Sequence, residues 1–139
     1  MTILEPQNGS IPLPHPTVVS RPFWEGCQRG ELLFQRCGAC GNATWSPAVM
    51  CSNCRSTELR WEQSKGEGEV YSWTVVWRPQ TPQFTVPYAA VIMRMDEGYD
   101  FLSNMIGCAP DEVHVGMRAK VAFHKLTDEI TLPYFVPLS

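Results

Sequence analysis

Four cysteines in two Cys-x-x-Cys pairs constrain the fold of this chain more than any other feature of its sequence. The pairs are Cys37/Cys40 and Cys51/Cys54, with ten residues between them. Two residues between cysteines let one tight turn direct both sulfurs at a single ion, and four thiolates complete the tetrahedron that Zn²⁺ prefers. The spacing therefore predicts a four-cysteine metal site of the zinc-ribbon type.

The residues around the cysteines are those that tight turns require. Gly38 and Gly41 flank the first pair, and Asn53 lies inside the second pair, where asparagine tolerates the left-handed conformation. The gap contains Pro47 and is long enough for a short hairpin. Residues 32–61 are too few to fold on a hydrophobic core alone, so we expect the metal to stabilise them.

Because all four ligands are cysteines, no coordination position is open to water, and the predicted metal is structural rather than catalytic. Iron can occupy the same ligand set, so zinc and iron both stay open. Two disulfides are a rival interpretation, but they need an oxidising compartment. The N-terminus lacks a basic start and a long apolar run, so no signal peptide is predicted and a cytoplasmic location is expected.

The net charge and the distribution of apolar residues argue against nucleic acid and membranes as partners. The chain has 139 residues and a net charge of -3, which does not favour nucleic acid or anionic membranes as partners. No stretch approaches the ~20 apolar residues of a membrane span. The sequence predicts three parts: an extended arm (1–20), a helix with the zinc ribbon (21–65), and a barrel (66–139).

The arm carries four prolines, and it is predicted to be either disordered in the free chain or docked on a partner. A short helix follows, with Ser20 as its N-cap and Gly30 at its end. Phe23, Trp24 and Cys27 fall on one helical face, which is either core or an interface anchor. The glycine-rich segment 64–70 is predicted to be a hinge.

Beyond the hinge, the sequence contains five strand-like runs separated by turns, namely 69–78, 88–95, 99–107, 116–125 and 129–137. The first run alternates, which predicts Tyr71, Trp73, Val75 and Trp77 on one face. Five strands without a long helix predict a mainly β fold with a small OB-fold-like barrel, and a partial sandwich is the alternative.

The sequence shows no convincing catalytic constellation. Cys108 follows a glycine and is interpreted as a packed thiol, and no histidine lies in a nucleophile–base motif. The segment 77–88, "WRPQTPQFTVPY", is the most suggestive loop. Its Trp77, Arg78, Phe84 and Tyr88 could bind a flat ring, a phosphate or a partner, or could simply pack on the barrel.

The order of motifs resembles one family. "PFWEG", a strand ending "RC", the cysteine ribbon, "GEGEVYSWTVV", "PYAAVIMRMDEG", "VGMRAKVAF" and "LPYFVP" are similar to acyl-CoA-associated proteins in which a rubredoxin-like zinc ribbon is fused to an OB-fold. The resemblance covers about residues 20–137. It implies an accessory role beside thiolase-fold enzymes, which supply the catalytic residues, with coenzyme A as a possible shared ligand. The resemblance also implies that Cys37, Cys40, Cys51 and Cys54 are the metal ligands.

The resulting hypothesis is a non-catalytic zinc-binding subunit of an acyl-CoA thiolase or retro-aldolase complex, assembled as a heterotetramer. Its contacts to acyl-CoA or partner are assigned to six side chains: Phe23, Trp24, Trp77, Arg78, Phe84 and Tyr88. One alternative is a single-stranded nucleic-acid-binding OB-fold, with Tyr71, Trp73 and Trp77 stacking on bases. Its weakness is the acidity of residues 68–139, which include five basic and eight acidic residues. A second alternative is a stand-alone enzyme that uses Cys108 or His114.

Overall fold

A computed structural model describes residues 2–138 of the chain. Helix α1 spans Arg21–Gln28, and a single 3-10 turn, Pro110–Glu112, lies between the sixth and seventh strands of the described residues. The strands, in chain order, are β1 (Leu33–Cys37), β2 (Ala43–Thr44), β3 (Leu59–Gln63), β4 (Glu67–Val76), β5 (Tyr88–Met95), β6 (Asp100–Met105), β7 (Arg118–Lys125) and β8 (Thr131–Pro137). Within residues 2–138, no helix is long and apolar enough to cross a membrane.

The strands form two sheets. The order β2-β1-β3 makes a small antiparallel sheet, and β4-β5-β6-β8-β7 closes into a barrel through the pairing of β4 with β7. Only the β6–β8 pair of this barrel is parallel. The prediction of a mainly β chain with a short helix, a ribbon and a five-stranded OB-fold-like barrel is confirmed. The cysteine gap departs from the prediction, because β2 pairs with β1 instead of forming its own hairpin.

Strand β4 departs from the predicted alternation. Its register with β5 shifts between Val70 and Ser72, which places Tyr71 in a β-bulge. The strand ends at Val76, two residues before the predicted end. After the bulge, Trp73 pairs with Val91, whose side chain is fully buried in the barrel. Directly opposed residues share a face, so Trp73 lies on the side of Val91 and Tyr71 on the other side of the sheet. The predicted single face is therefore wrong for Tyr71, whereas Trp73, Val75 and Trp77 line one groove.

Helix α1 packs its apolar face against the core. Phe23 and Cys27 are buried and Trp24 is half-buried, so the core interpretation of this face is the one the structure supports. Ser20 does not act as the predicted N-cap: it has helical dihedrals, and its Oγ accepts a hydrogen bond from the Thr17 N–H. The helix ends as expected, with Gly30 at a left-handed φ of 78°.

Phe101 of β6 lies where helix, ribbon and barrel meet. Its ring centroid is 6.1 Å from that of Phe23, 4.6 Å from that of Trp45 and 5.7 Å from that of Phe135. Phe34 of the ribbon also stacks on Tyr99, which precedes β6, at 4.8 Å. The ribbon and the barrel therefore share one hydrophobic core.

The glycine-rich segment between ribbon and barrel is held in place, in contrast to the expected hinge. The Ser64 hydroxyl donates to one carboxylate oxygen of Glu97 at 2.8 Å, and the Lys65 N–H donates to the other at 2.7 Å. Ser64 is buried, and its Oγ accepts from the Gly66 N–H. The turn that contains Glu97 therefore fixes the linker to the barrel.

We expect Glu97→Ala to lower the free energy of unfolding by about 1–3 kcal/mol, because it leaves two donors of the linker without their acceptor. Thermal and urea unfolding of the full chain would measure the change. Asp128→Ala is the matched control, since the Asp128 side chain is 99% exposed. Equal stability of the two variants would contradict the assignment of Glu97 as the linker's anchor.

The N-terminal arm is extended and docks on the barrel of its own chain. Leu4 is 2% exposed. Its N–H donates to the Cys108 carbonyl at 2.8 Å, and its carbonyl accepts from the Gly107 N–H at 2.9 Å. The arm therefore adds a short stretch of backbone pairing after β6.

A candidate metal centre and two aromatic grooves

The two cysteine pairs form similar turns that bring four sulfurs together. Cys37 ends β1, and the Gly41 N–H donates to its carbonyl at 2.8 Å; the Arg55 N–H donates to the carbonyl of Cys51 at 2.9 Å. The residue that ends each turn is left-handed, with φ of 79° at Gly41 and 66° at Arg55. The sequence predicts the left-handed conformation of the second turn at Asn53. The structure has it at Arg55 instead.

The sulfur geometry fits a tetrahedral ion. The Sγ atoms of Cys37, Cys40, Cys51 and Cys54 all lie within 4.8 Å of one another. Two pairs, Cys37 with Cys54 and Cys40 with Cys51, are 3.6 Å apart. Zinc–sulfur bonds of about 2.3 Å in a tetrahedron place the sulfurs ~3.8 Å apart. The four cysteines therefore suit a structural zinc ion with no open coordination position.

Backbone donors favour the thiolate, the form that binds a metal, at two of the four cysteines. The pKa of Cys51 is lowered to about 6, chiefly by a hydrogen bond from the Cys54 N–H. A hydrogen bond from the Asn53 N–H lowers it further. The pKa of Cys37 is also lowered, chiefly by the N–H of Cys40. The Asn53 side chain donates a hydrogen bond to the Cys40 sulfur at 3.4 Å, so Asn53 supports a metal ligand through its side chain. Metals bind thiolates, so donors of this kind favour the ligand form.

The remaining cysteines and the histidines do not assemble a reactive site. Cys27 and Cys108 are buried, and burial raises the pKa of both thiols, that of Cys27 to about 12. His114 lies in an exposed turn with its Nδ1 2.9 Å from the Glu112 carbonyl oxygen, and His124 packs edge-on against Tyr134. Among the described residues, no hydrogen bond joins a cysteine to a histidine, so these side chains form no nucleophile–base pair.

Four of the six side chains assigned to ligand or partner contact line one cavity. Phe23, Trp24, Phe84 and Tyr88 surround a space of about 320 Å³ between α1, the 77–88 loop, the arm and the strands β6 and β8. Trp45 of the ribbon also lines it. Every part of the chain therefore contributes to this aromatic cavity.

The arm closes one side of the cavity through Gln7. The Thr85 N–H donates to Gln7 Oε1 at 2.7 Å, and Gln7 Nε2 donates to the Thr85 carbonyl at 3.0 Å. The Gln7 N–H donates to the Tyr134 hydroxyl at 3.0 Å. We call this set the Gln7 latch. Sequence reasoning missed it, since a glutamine in a proline-rich arm carries no signal for a partner 78 positions away.

Trp77 and Arg78 lie apart from the other four candidates. Trp77 is 64% exposed and lines a second, wider groove of about 700 Å³ with Trp73, Val75 and Pro110. Arg78 follows it on the surface. Tyr71 lies on the outer wall instead, where the Arg94 guanidinium covers its ring at 3.9 Å. The chain thus carries an aromatic cavity beside the arm and, apart from it, a more open aromatic groove beside Trp77.

Comparisons with known proteins identify the family. Residues 24–60 match the ChsH2 rubredoxin-like zinc ribbon domain, and residues 61–124 match the ChsH2 C-terminal OB-fold domain. A DUF35 domain-containing scaffold protein of Methanothermobacter thermautotrophicus is 30% identical over 105 residues, which is 73% of this chain and 78% of that protein. The chain belongs to the DUF35 family. The resemblance drawn from its motifs is confirmed.

Other relatives of this DUF35 chain carry names from acyl-CoA metabolism. A probable enoyl-CoA hydratase alpha subunit of Thermomonospora curvata is 34% identical over 116 residues. The match takes in 83% of the DUF35 chain and 36% of that protein, so the chain spans about a third of the relative's length.

Two solved structures share the fold. A chain of the structure titled "Ltp2-ChsH2(DUF35) aldolase" superposes with a TM-score of 0.82 at 30% identity, covering 90% of this chain and 98% of that chain. A DUF35 protein of Sulfolobus solfataricus gives a TM-score of 0.64 at 15% identity, which supports the fold alone. These similar proteins are thus named as a hydratase alpha subunit, as a scaffold protein and as part of an aldolase structure.

Proposed function

We propose that this chain is a non-catalytic accessory subunit of an acyl-CoA thiolase or retro-aldolase complex. The observation that carries the proposal is the likeness to nearly the whole DUF35 chain of an aldolase structure, at a TM-score of 0.82. The described residues support the accessory role, because their only clustered cysteines form a closed metal site. The chemistry then falls to the partner, for which we propose a thiolase-fold subunit.

The open groove supplies the proposed contact with coenzyme A or with the partner. Trp77 presents a largely exposed indole, and indole faces stack on flat rings such as adenine. Arg78 beside it offers a planar cation for a phosphate or carboxylate. Phe23, Trp24, Phe84 and Tyr88 line the aromatic cavity instead, so we assign the contact to Trp77, which is largely exposed, and to Arg78 beside it.

We expect Trp77→Ala to weaken partner or coenzyme A binding about tenfold or more, as is typical of a central aromatic contact. Arg78→Ala should weaken it less and reduce its dependence on salt. Calorimetric titration of each variant with the purified partner and with coenzyme A would measure both effects. Tyr71→Ala is the control, since it removes an exposed aromatic ring from the outer wall. Binding by Trp77→Ala at the affinity of the unmodified chain would contradict the assignment.

The proposal is tested by purifying the tagged chain from its native cells and identifying co-purifying proteins by mass spectrometry. A thiolase-fold protein in near-stoichiometric amount is the expected result. Light scattering should give the mass of a heterotetramer rather than of a one-to-one heterodimer, because partners of dimeric enzymes usually assemble with two-fold symmetry. Recovery of nucleic acid instead of a protein partner would contradict the proposal and favour the single-strand-binding alternative.

A further inference from the structure

The aromatic cavity between the arm, α1, the ribbon and the barrel has walls that suit a ligand of its own. Seven aromatic side chains line it: Phe23, Trp24, Trp45, Phe84, Tyr88, Phe101 and Tyr134. A cavity of about 150 Å³ with apolar walls stays dry and binds benzene. The present cavity is about 320 Å³, which is near the lower end of natural ligand pockets. Its volume therefore matches a group of roughly two fused rings.

Several polar groups in the walls are already paired within the protein, whereas the indole N–H of Trp45 has no hydrogen-bond partner among the described residues. The Tyr88 hydroxyl accepts from Gln80 at 2.6 Å, and the Ser103 hydroxyl donates to the Pro133 carbonyl at 2.7 Å. The Tyr134 hydroxyl and the Gln7 amide belong to the Gln7 latch. An apolar ligand would therefore enter without leaving these groups unpaired, whereas a charged ligand would lose its hydration with little in return.

The arrangement of the rings favours a flat ligand over a bulky one. Phe23 and Trp24 meet edge to face, with centroids 5.1 Å apart and planes at 84°, and Phe84 is tilted by 34° against Tyr88. Rings in several orientations offer both faces and edges to an inserted ring, and such contacts stabilise aromatic pairs beyond the area they bury. A saturated ring system of the same size gains burial without these contacts.

We propose that this cavity binds a planar, uncharged, bicyclic aromatic group. The site is formed within one chain, between the arm, α1, the ribbon and the barrel, and it requires neither a partner nor coenzyme A. The Gln7 latch forms one wall, so the docked arm is part of the site. Ligand binding in this cavity is separate from the proposed accessory role, so an experiment can contradict one proposal and leave the other standing.

Calorimetric titration of the full-length, zinc-loaded chain with 2-naphthol tests the proposal. The eleven non-hydrogen atoms of this probe lead us to expect saturable binding with a Kd on the order of 100 µM. The matched probe decahydro-2-naphthol has the same skeleton without aromaticity, and we expect it to bind at least about fivefold more weakly. Absence of binding by 2-naphthol, or equal binding of both probes, would overturn the proposal.

A pair of variants locates the binding site. Leu102 lines the cavity and is 56% exposed, so Leu102→Trp should fill the space from its rim without disturbing the core. Val115 is 65% exposed and does not line the cavity, so Val115→Trp is the control. We expect Leu102→Trp to weaken 2-naphthol binding about tenfold or more and Val115→Trp to leave it unchanged. Undiminished binding by a folded Leu102→Trp protein would overturn the assignment of the site.

Discussion

Replacing Cys37 and Cys40 with serine will unfold residues 32–61 and abolish metal binding. The ribbon strands are short, with five, two and five residues in β1, β2 and β3. Within the gap between the cysteine pairs, the backbone of Ala48 is held by the buried amide of Gln35. A structural zinc ion contributes on the order of 10 kcal/mol to folding, so this is the largest effect we expect from any change in the chain.

Metal analysis together with amide NMR spectra of the double variant would measure the effect. The expected result is loss of the one bound zinc and of the dispersed signals of the ribbon, followed by loss of partner binding. Cys108→Ala is the control, because Cys108 is buried away from the metal site and should leave the zinc in place. A metal-free double variant that still formed the full complex would show that the ribbon does not depend on its ion.

Phe101→Ala should lower the free energy of unfolding by about 3–5 kcal/mol, the usual cost of removing a buried phenylalanine. Phe101 is 2% exposed, and its ring contacts the helix, the ribbon and the barrel at once. Its removal opens a cavity where these parts meet, and the loss should appear as one cooperative shift in urea unfolding. Leu102→Ala, next to it on the outer face, should cost no more than about 0.5 kcal/mol.

The urea unfolding of Phe101→Ala also tests whether the ribbon and the barrel unfold together. If ribbon and barrel share one core, both should lose stability together in Phe101→Ala. A variant that destabilised only the barrel, with the ribbon signals unchanged, would contradict the common core.

The sequence predicted those features that depend on neighbouring residues. Two Cys-x-x-Cys pairs define the metal site because each turn closes within a few residues. The barrel strands were found from runs of apolar residues, and β5 shows the same pattern in its burial, with Val91, Met93 and Met95 inside. Helix α1 was found from its apolar face and from the glycine that ends it.

Features that depend on distant contacts were not predictable. The bulge at Tyr71 arises from pairing with β5, and the anchoring of Ser64 by Glu97 joins residues 33 positions apart. The Gln7 latch joins a polar arm to a loop through side-chain and backbone groups that have no sequence pattern. For the same reason the six contact candidates, which form one group in the sequence argument, divide between the aromatic cavity and the groove beside Trp77.

Turnover of acyl-CoA thioesters by the separated and the recombined subunits tests the central claim most directly. The account predicts that this chain alone has no activity at any concentration, and that the thiolase-fold partner reaches full activity only when the chain is added. Cleavage of an acyl-CoA by the purified chain alone would contradict the accessory role and direct attention to Cys108 and His114.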